Sequence, residues 1–318
     1  MSAQTSILIT APSNIALIKY MGKSQTKSNL PGNASLSYTL EHLRTAVRLT
    51  PLKDSGPDKW QPLNEEGYLP LELSEKGRTK FLKHFQFLKE QLGIAESFLV
   101  ESANNFPSDC GIASSASSFA ALTLAAASWG GKSSEIDLVE VSKWSRKGSG
   151  SSCRSFFSPF ALWNNEGAEP IDLGISNFLH QVFIISEEKK LVSSSEAHLR
   201  VESSAKFQGR YERAQNRLEN LIGSLRHDHW ARAQQIVYDE FVDMHELFET
   251  AAEPFHYRTT ESMRVCDEAF QLNSIAKCQG PLVTMDAGAN VHLLWKASEK
   301  EIAEQFQNRF PFQVIRSW

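Results

Sequence analysis

Apolar and alternating patterns along the first hundred residues predict β-strands. Four segments carry such a pattern: residues 6–12, 33–40, 45–50 and 97–101. A run that alternates polar and apolar side chains is typical of a strand with one face in the core. We therefore predict four strands, and we expect residues 33–40 to pair with residues 45–50. Residues 51–70 are rich in Pro, Gly and Asp and are expected to form a loop or hairpin.

Apolar positions at helical spacing predict helices in the same part of the chain. Residues 74–92 place their apolar side chains on one face, and Gly93 supplies the stop. The His84 side chain and the lysines of this helix are expected to lie on its solvated side. Residues 113–129 are small and apolar and are long enough for about four turns of a buried helix. A further helix follows, with Ser134 as a candidate N-cap.

The second half of the chain predicts a mixture of strands and helices. It begins with the apolar run of residues 182–185, which we take as the first strand of a second domain. Residues 204–250 have apolar side chains at helical spacing and predict two helices joined at residues 227–229. Another helix is predicted over residues 263–272. Residues 282–295 predict a strand, a tight turn and a returning strand.

Length, charge and hydropathy bound the class of protein. A chain of 318 residues is longer than one hydrophobic core usually serves, so we expect two domains. The net charge of −4, with Lys and Arg interspersed, provides no basic face for nucleic acid. No apolar run reaches the roughly 18 residues of a membrane span, and the first residues lack the pattern of a secretory signal. We therefore expect a cytoplasmic protein without nucleic-acid or membrane partners.

The cysteines and histidines give no metal pattern. The four cysteines lack Cys-x-x-Cys spacing and a nearby histidine pattern. Reduced thiols and no structural zinc are the expectation. The stretch His227-Asp228-His229 could bind a metal, but an exposed turn is the preferred interpretation.

Two serine-rich segments are candidates for binding anions. The start of the helix over residues 113–129 brings unpaired N–H groups, small side chains and hydroxyls to one place, which attracts phosphate. A serine-capped packing helix is the alternative. Residues 146–155 set two glycines among serines and end near Arg154, which suits a carboxylate or phosphate. A flexible Gly/Ser linker is the alternative there.

Three further groups are weaker candidates when each is taken alone. Lys19 and Lys23 bracket a glycine and can meet an anion, although surface lysines are common. Residues 189–195 combine two lysines with three serines, in what is otherwise a solvated loop. Asp286 lies at the rim of the predicted turn in residues 282–295, where turn chemistry alone explains an aspartate.

Taken together, these segments resemble the mevalonate diphosphate decarboxylase family of the GHMP small-molecule kinase superfamily. Six motifs occur in the family's order, and the resemblance spans residues 8–295. They are Asn14-Ile15-Ala16-x-x-Lys19-Tyr20-x-Gly22-Lys23, Asn33-x-Ser35-x-Ser37, Asn105-Phe106-Pro107 through Gly111-x-Ala113-Ser114-Ser115-Ala116, Arg146-x-Gly148-Ser149-Gly150-Ser151-x-x-Arg154-Ser155, Lys189-Lys190-x-x-Ser193-Ser194 and Asp286-Ala287-Gly288-x-Asn290. Each motif alone is weak, and their shared order makes the resemblance specific.

The resemblance implies an α+β fold of two domains with the active site in the cleft between them. Residues 1–180 would form an N-terminal ATP-binding domain of the GHMP type, and residues 181–318 a C-terminal α+β domain. The implied reaction uses ATP and Mg²⁺, phosphorylates the 3-hydroxyl of mevalonate 5-diphosphate and then releases phosphate and CO2 to give isopentenyl diphosphate. A homodimer is the assembly that the family implies.

The resemblance also implies the roles of individual residues. Asp286 matches the catalytic aspartate, Lys19 the lysine beside it, and Arg154 the arginine that grips the substrate carboxylate. The residues matched to substrate binding are Asn14, Tyr20, Lys23, Ser149, Ser151, Lys190 and Ser193. Those matched to the nucleotide's phosphate loop are Ser108, Gly111, Ala113, Ser114 and Ser115. The resemblance assigns no metal ligand.

The sequence departs from the family pattern at several positions. Met21 stands where the family has tryptophan, Ala197 where it has glycine, and Ala289 where it has proline. The departures at Met21 and at residues 195–198 lie near the expected pocket for the substrate's phosphate tail. None removes a catalytic group.

Two other functions are compatible with the same motifs. A decarboxylase or 3-kinase acting on mevalonate 5-phosphate, or on another mevalonate derivative, would carry much the same residues. A non-catalytic protein that binds nucleotide or an isoprenoid precursor is the second alternative, and the intact Asp286, Lys19 and Arg154 argue against it.

Overall fold

The fold is mixed α+β, as predicted, with one large sheet in each half of the chain. The computed structural model describes residues 6–25, 29–54, 56–107, 114–131, 137–164, 167–188, 190–272 and 278–318, with backbone alone over 23–25. The first half holds a seven-stranded sheet and the second a four-stranded sheet. The domain boundary at residue 180 stays a prediction.

The strands of the first half are β1 (Ile7–Ile18), β2 (Lys23–Gln25), β3 (Leu30–Pro31), β4 (Ser35–Pro51), β5 (Lys59–Pro62), β6 (Leu69–Pro70), β7 (Phe98–Asn104), β8 (Phe160–Asn164) and β9 (Gly167–Pro170). Its helices are α1 (Glu75–Leu92), α2 (Ser114–Trp129) and α3 (Leu138–Gly148), followed by a short 3₁₀ helix over Gly150–Phe156. The second half contains strands β10 (Leu179–Ile184), β11 (Leu282–Met285), β12 (Val291–Trp295) and β13 (Gln313–Arg316). Its helices are α4 (Ser194–Arg200), α5 (Arg210–Arg226), α6 (Trp230–Glu249), α7 (Thr260–Gln271) and α8 (Lys300–Gln307).

β4 is the central strand of the first sheet. It pairs with β1 along most of its length, with β8 near its start and with β7 near its end. The prediction of two strands, over 33–40 and 45–50, that pair with each other was therefore wrong. Residues 41–44 contain no glycine, proline, asparagine or aspartate that would form a turn, so the strand continues. The irregularity appears instead as a register shift between Pro12 and Ser13 of β1.

Helices α1 and α2 pack on the first sheet through a cluster of aromatic and aliphatic side chains. Phe81 and Phe85 of α1 lie with Phe119 of α2 and with Phe98 of β7 in one core. Burying an apolar side chain of this size contributes about 1.5–3 kcal/mol. The predicted bounds of α1 are confirmed, since Ser74 caps its start and Gly93 ends it with a φ of 67°.

His84 of α1 is buried, although the sequence placed it on the solvated side. It falls on the same face as Phe81 and Phe85, and its Nε2 lies 3.4 Å from Thr123 Oγ1 of α2. Burial lowers the pKa of His84 to about 3, and nearby lysine charges act in the same direction. The ring therefore belongs to the packing between α1 and α2.

The serine-rich segment after α3 forms a short 3₁₀ helix, in contrast to the flexible Gly/Ser linker that was the alternative interpretation. Its short 3₁₀ helix is held by its own side chains, as Ser152 Oγ donates to the Ser149 carbonyl at 2.6 Å and lies 2.7 Å from Ser145 Oγ. α3 itself begins after Asp137, whose side chain accepts from the Val139 N–H. The N-cap predicted at Ser134 lies outside the described residues.

The second sheet is antiparallel in the order β11-β12-β10-β13. Its core joins Phe183 and Trp295 of the sheet to Val265 of α7 and Phe306 of α8. The predicted strand, turn and returning strand of residues 282–295 are confirmed as β11 and β12. So are the two helices predicted within residues 204–250, which are α5 and α6.

The two halves meet through a shared core and a row of histidines. Ile15 of β1 packs in one cluster with Leu218 of α5 and Val237 of α6. The histidine row crosses from β4 to the second sheet. His42 Nε2 lies 3.1 Å from His180 Nδ1, and His180 Nε2 lies 3.0 Å from His292 Nδ1.

The described cysteines form no disulfide bonds. Cys153, Cys266 and Cys278 are free thiols, and Cys110 lies outside the described residues. Burial raises the pKa of Cys153 to about 12, so this thiol is unreactive at neutral pH. Within the part of the chain that the structure describes, no helix has both the length and the apolar character to cross a bilayer.

Candidate active site

A polar cavity of about 350 Å³ lies where the two halves meet. It is lined by Ala16, Lys19, Tyr20, Met21, Asn29, Lys80, Ser114, Ser115, Ser149, Gly150, Ser151, Arg154, Lys190, Ser193, Ser194, Ser195, His198, Met244, Asp286 and Ala287. These residues come from the ends of strands, the starts of helices and the loops between them. The cavity therefore gathers segments that are far apart in the sequence.

The ends of two strands bring Lys19 and Asp286 together in this cavity. Lys19 directly follows β1, and Asp286 directly follows β11. Lys19 Nζ lies 2.6 Å from Asp286 Oδ1, and the lysine side chain is only 2% exposed. The pair joins one half of the molecule to the other.

Burial acts against the charges of Lys19 and Asp286, and the charge of each partner favours that of the other. Burial lowers the pKa of Lys19, while the charge and hydrogen bond of Asp286 raise it again in part. Burial alone would raise the pKa of Asp286, but the Lys19 ammonium holds it below its ordinary value. Asp286 is therefore an ionised acceptor at neutral pH, on a side chain that is 23% exposed.

Arg154 presents a positive charge to the same cavity. Its Nε donates to Asn14 Oδ1 at 3.1 Å and its Nη1 donates to Ser35 Oγ at 3.0 Å. The guanidinium lies 6.0 Å from the ring centre of Tyr20 and 5.7 Å from that of Trp163.

The hydrogen-bond partners of Arg154 are neutral, so its positive charge is available to bind an anion. Burial lowers the pKa of this guanidinium, which nevertheless stays charged because an arginine pKa is so high. Among the described residues, no carboxylate forms an ion pair with it. The charge of Asp286 acts on this guanidinium without forming an ion pair with it. A buried charge that forms no ion pair is costly, so the geometry favours a ligand that carries a carboxylate or phosphate.

Tyr20 forms a second wall of the cavity with His198. The two rings stack with their centres 4.4 Å apart, and the Gly22 N–H donates to His198 Nδ1 at 3.2 Å. Burial raises the pKa of the Tyr20 hydroxyl, which therefore stays protonated. The sequence did not single out His198 as a site residue, although it lies in the segment that departs from the family pattern.

Serine hydroxyls and a helix start form the opposite side of the cavity. Ser114 and Ser115 begin α2, and Ser115 Oγ lies 3.3 Å from Ser149 Oγ. Ser151 lies in the adjoining 3₁₀ helix and also lines the cavity. The start of a sixteen-residue helix directs N–H groups and the positive end of the helix dipole outward. This side of the cavity suits phosphate groups.

Lysines and a further serine lie at the remaining edge. Lys190 and Ser193 line the cavity, and Ser193 also caps α4 by accepting from the Glu196 N–H. Lys80 of α1 contributes from the first half, with its Nζ 5.1 Å from the ring centre of Phe119. The lysines of α1 were expected on its solvated side, and Lys80 is indeed exposed at the edge of the cavity. The expectation was wrong for Lys89, which is buried and whose Nζ lies 2.9 Å from Asp58 Oδ2.

The structure thus brings most of the predicted site residues to one place. Lys19, Tyr20, Ser114, Ser115, Ser149, Ser151, Arg154, Lys190, Ser193 and Asp286 all line the cavity. Asn14 does not line it but lies behind Arg154, where its Nδ2 donates to Ser155 Oγ at 2.8 Å. Ser108, Gly111, Ala113 and the side chain of Lys23 lie outside the described residues. Their predicted contacts, and a direct contact of Asn14 with substrate, stay predictions.

The donor set of the cavity fits magnesium only in company with phosphate. Among the described residues no cluster of three or more acidic, histidine or cysteine side chains could hold a metal. The lining residues offer one carboxylate, that of Asp286, and several serine hydroxyls. Mg²⁺ keeps several waters and is commonly held by one or two carboxylates and by substrate phosphates. The residues therefore suit a magnesium ion that is bound together with a nucleotide.

Family comparisons divide the chain into two matched regions. Residues 11–172 match the diphosphomevalonate decarboxylase-like N-terminal domain. Residues 181–317 match the mevalonate 5-diphosphate decarboxylase C-terminal domain. Both regions contribute residues to the cavity.

Individual relatives extend over most of the chain. A diphosphomevalonate decarboxylase of Debaryomyces hansenii is 31% identical over 90% of this chain and 78% of its own length. That of Saccharomyces cerevisiae is 30% identical over 92% of this chain and 78% of its own.

Solved structures share the fold. The mevalonate diphosphate decarboxylase of Legionella pneumophila is 41% identical, covers 98% of this chain and 100% of its own, and superimposes with a TM-score of 0.89. A structure described as MDDEF in complex with MVAPP, AMPPCP and magnesium is 29% identical, covers 98% and 96%, and has a TM-score of 0.87.

Proposed function

The chain belongs to the diphosphomevalonate decarboxylase family, and on that premise we propose that its cavity carries out the ATP-dependent decarboxylation of mevalonate 5-diphosphate. The observation that carries the proposal is the ion pair of the buried Lys19 with Asp286, 2.6 Å long, in the same cavity as the positive charge of Arg154. This arrangement offers an ionised acceptor for a hydroxyl proton and a cation for a carboxylate. The relatives named for the same reaction support it.

The reaction has two stages, phosphorylation of the 3-hydroxyl and then loss of phosphate and CO2. The 3-hydroxyl oxygen of the substrate bonds to the γ-phosphorus of ATP, the bond from that phosphorus to ADP breaks, and the hydroxyl proton leaves. The C3–O bond then breaks and phosphate departs. The electron pair of the C1–C2 bond becomes the C2=C3 double bond, and C1 leaves as CO2. The products are ADP, phosphate, CO2 and isopentenyl diphosphate.

Asp286 and Lys19 act at the hydroxyl in the first stage. A tertiary alcohol is a poor nucleophile, so a carboxylate that accepts its proton as the O–P bond forms accelerates the step. The ammonium of Lys19 keeps Asp286 ionised and fixes its orientation. In a largely loose transition state for phosphoryl transfer, positioning of the hydroxyl matters more than base strength.

Arg154 acts on the carboxylate that is lost in the second stage. Its guanidinium is tethered by Asn14 and Ser35 and flanked by two aromatic rings, so it holds one orientation. A substrate carboxylate paired with it would be held in one orientation during the second stage. The charge of Arg154 would also hold the carboxylate in place until CO2 forms.

The phosphate groups have two separate places in the proposal. Ser114 and Ser115, at the start of α2, would receive the phosphates of ATP, together with Ser108, Gly111 and Ala113 of the preceding segment. Tyr20, Lys23, Lys190 and Ser193 would bind the diphosphate tail. Magnesium bound with the nucleotide would neutralise charge on its phosphates. We also infer a cytoplasmic homodimer, by analogy with the family.

A product assay tests the proposal. ATP and Mg²⁺ are supplied with mevalonate, its 5-phosphate or its 5-diphosphate in parallel, and ADP and trapped CO2 are both counted. Equal amounts of ADP and CO2 with the 5-diphosphate alone are expected. Turnover with the 5-phosphate alone would assign the other substrate, ADP without CO2 would indicate a 3-kinase, and no turnover would leave a binding protein. Light scattering of the purified protein tests the dimer.

A further inference from the structure

Two charged side chains of the second half hold the main chain of Lys19. The Lys19 N–H donates to Glu240 Oε1 at 3.0 Å, and the Lys19 carbonyl accepts from Arg210 Nη2 at 2.9 Å. Arg210 belongs to α5 and Glu240 to α6, so both contacts cross the junction between the two halves. The peptide groups on both sides of this one residue are thus fixed from the opposite half.

Arg210 and Glu240 are themselves a fully buried ion pair. Both side chains are 0% exposed, and Arg210 Nη1 lies 3.0 Å from Glu240 Oε2. Asp243 and Arg217 complete the network, at 2.8 Å from Arg210 and 2.9 Å from Glu240 respectively. Buried ion pairs often contribute less to stability than apolar residues of similar volume would. Stability alone therefore does not account for charges at this place.

The position of the Lys19 main chain controls where its ammonium lies. The lysine side chain is long, with rotatable bonds whose freedom adds to any freedom of the backbone. Its carbonyl is held a second time by Asn33 Nδ2 at 3.0 Å. With the backbone fixed on both sides, the ammonium meets Asp286 Oδ1 in one geometry.

We propose that Arg210 and Glu240 are positioning residues for the reaction, which clamp the Lys19 main chain so that its ammonium stays on Asp286. The inference rests on the role of Lys19 and Asp286 in the proposed function. Neither Arg210 nor Glu240 lines the cavity, so neither touches the substrate.

The carboxylate of Glu240 also acts on the charge of Lys19. The groups whose charges face this ammonium are Asp286, Arg154, Glu240 and, from α6, His245. Burial lowers the pKa of Lys19, and Asp286 and Glu240 both oppose that effect. Loss of the Glu240 charge should therefore lower the pKa of Lys19 further.

The first experiment replaces Glu240→Gln and measures steady-state kinetics against pH. The proposal expects kcat to fall by about 10- to 100-fold with KM for ATP and substrate little changed, because misplacement of a reacting group acts on the chemical step. It also expects the basic limb of the pH profile to move to lower pH. The matched control is Asp243→Asn, which weakens the same network without a hydrogen bond to Lys19. Equal losses of kcat in both variants would overturn the proposal.

A second variant keeps the test decisive if a single replacement fails to fold. The pair Arg210→Met with Glu240→Leu substitutes apolar residues of similar volume, which is often neutral for stability. A folded double variant with wild-type kcat would overturn the proposal, and a folded variant with a large loss of kcat would support it.

Hydrogen exchange tests the clamp without any activity. In the double variant the Lys19 amide should lose protection while the amides of β1 keep theirs, since only the former donates to Glu240. Unchanged protection of Lys19 would refute the clamp. If the wild-type protein turned over none of the three substrates, the proposed function would fail, and the exchange result would still decide whether the clamp exists.

Discussion

Lys19 and Asp286 illustrate how single residues acquire chemistry from their surroundings. Burial disfavours the charge of each, and their contact at 2.6 Å opposes that effect, fully for Asp286 and in part for Lys19. The result is a carboxylate that remains ionised and is held by the lysine beside it. Such a group accepts a hydroxyl proton at the moment that a new O–P bond forms.

Replacement of Asp286→Asn should lower kcat by about 10²- to 10⁴-fold, the usual contribution of a positioned acid or base. The amide keeps the size of the side chain but accepts no proton. Steady-state assays of ADP release measure the effect, with nucleotide binding measured separately. Asp228→Asn is a matched control, because Asp228 also pairs with a lysine, Lys296, at 2.6 Å but on the surface. Wild-type turnover in the Asp286 variant would disprove its assigned role.

Replacement of Arg154→Met should lower kcat/KM by about 10- to 100-fold, since a hydrogen bond to a charged group contributes about 1.5–3 kcal/mol. The substrate carboxylate would then have no arginine to pair with. Arg264→Met is the control, because Arg264 also lies over an aromatic ring, that of Phe310, but is exposed outside the cavity. Equal activity of the two variants would remove Arg154 from the site.

Replacement of His198→Met should leave the buried Gly22 N–H without its acceptor and cost about 1–3 kcal/mol of stability. Tyr20 would also lose its stacking partner, so KM for the 5-diphosphate should rise. Urea unfolding and kinetics measure the two effects. His198→Asn is the comparison, because its Oδ1 can accept from Gly22 where Nδ1 did. If both variants matched the wild type, His198 would have no part in the tail pocket.

Among the elements, the end of α3 packs closely against α1 and α2. A Cβ atom on Gly148 would lie 2.2 Å from Phe119 Cδ1 and 2.8 Å from His84 Cδ2. Glycine there lets α3 and its following 3₁₀ helix approach α1 and α2. The serines of the cavity wall follow immediately in the chain.

Gly148→Ala should therefore destabilise the protein by about 1–3 kcal/mol, the usual cost of overpacking. Gly223→Ala, within α5, is the matched control, because a Cβ there meets nothing within 4 Å. That change should stabilise the protein by about 0.5–1 kcal/mol, as alanine is the better helix former. The midpoints of chemical unfolding measure both. A Gly148 variant as stable as the Gly223 variant would contradict the packing argument.

Local patterns in the sequence predicted most elements because helical spacing, caps and turn residues act over short distances. The bounds of α1 follow from Ser74 and Gly93, and β11 and β12 from alternation about a turn. The errors have physical reasons. β4 continues because residues 41–44 lack a turn former, and His84 is buried because it shares a face with Phe81 and Phe85. The spacing of His84 contained that signal.

Contacts between distant segments lay beyond these local patterns. The resemblance to the family supplied Lys19 and Asp286 as a pair, since no periodicity connects residues so far apart. The clamp of Arg210 and Glu240 was missed altogether, because charges on amphipathic helices usually face solvent. A row of arginines at positions 210, 213 and 217, on one helical face, was the available signal.

At the scale of the whole molecule, buried neutral histidines make stability depend on pH. Burial lowers the pKa of His42 to about 4 and of His84 and His245 to about 3, and it lowers that of His180 well below the ordinary value. In the unfolded chain a histidine takes up its proton near pH 6.5, as an ordinary imidazole does. Below that pH the unfolded state binds more protons than the folded state, so acid favours unfolding.

The free energy of unfolding should therefore fall as the pH is lowered from about 6.5 towards 4, by up to about 1.4 kcal/mol per pH unit for each such histidine. Urea unfolding at pH 7, 6 and 5 measures the slope. Replacement of His84→Gln should reduce the slope of the free energy of unfolding against pH by the share of one titrating group, up to about 1.4 kcal/mol per pH unit. A stability that did not change between pH 6.5 and 4 would show that these rings are not held neutral.

The position of Lys19 after a strand of one sheet and of Asp286 after a strand of the other makes turnover a sensor of how the two halves dock. A slip of about 1 Å between them could lower the rate on the order of 10²-fold, yet it would leave every backbone hydrogen bond inside each sheet unbroken. Mild denaturant or heat should thus abolish turnover at a point where circular dichroism still shows intact helices and strands. We therefore expect turnover to be lost through the junction of the two halves before either sheet unfolds.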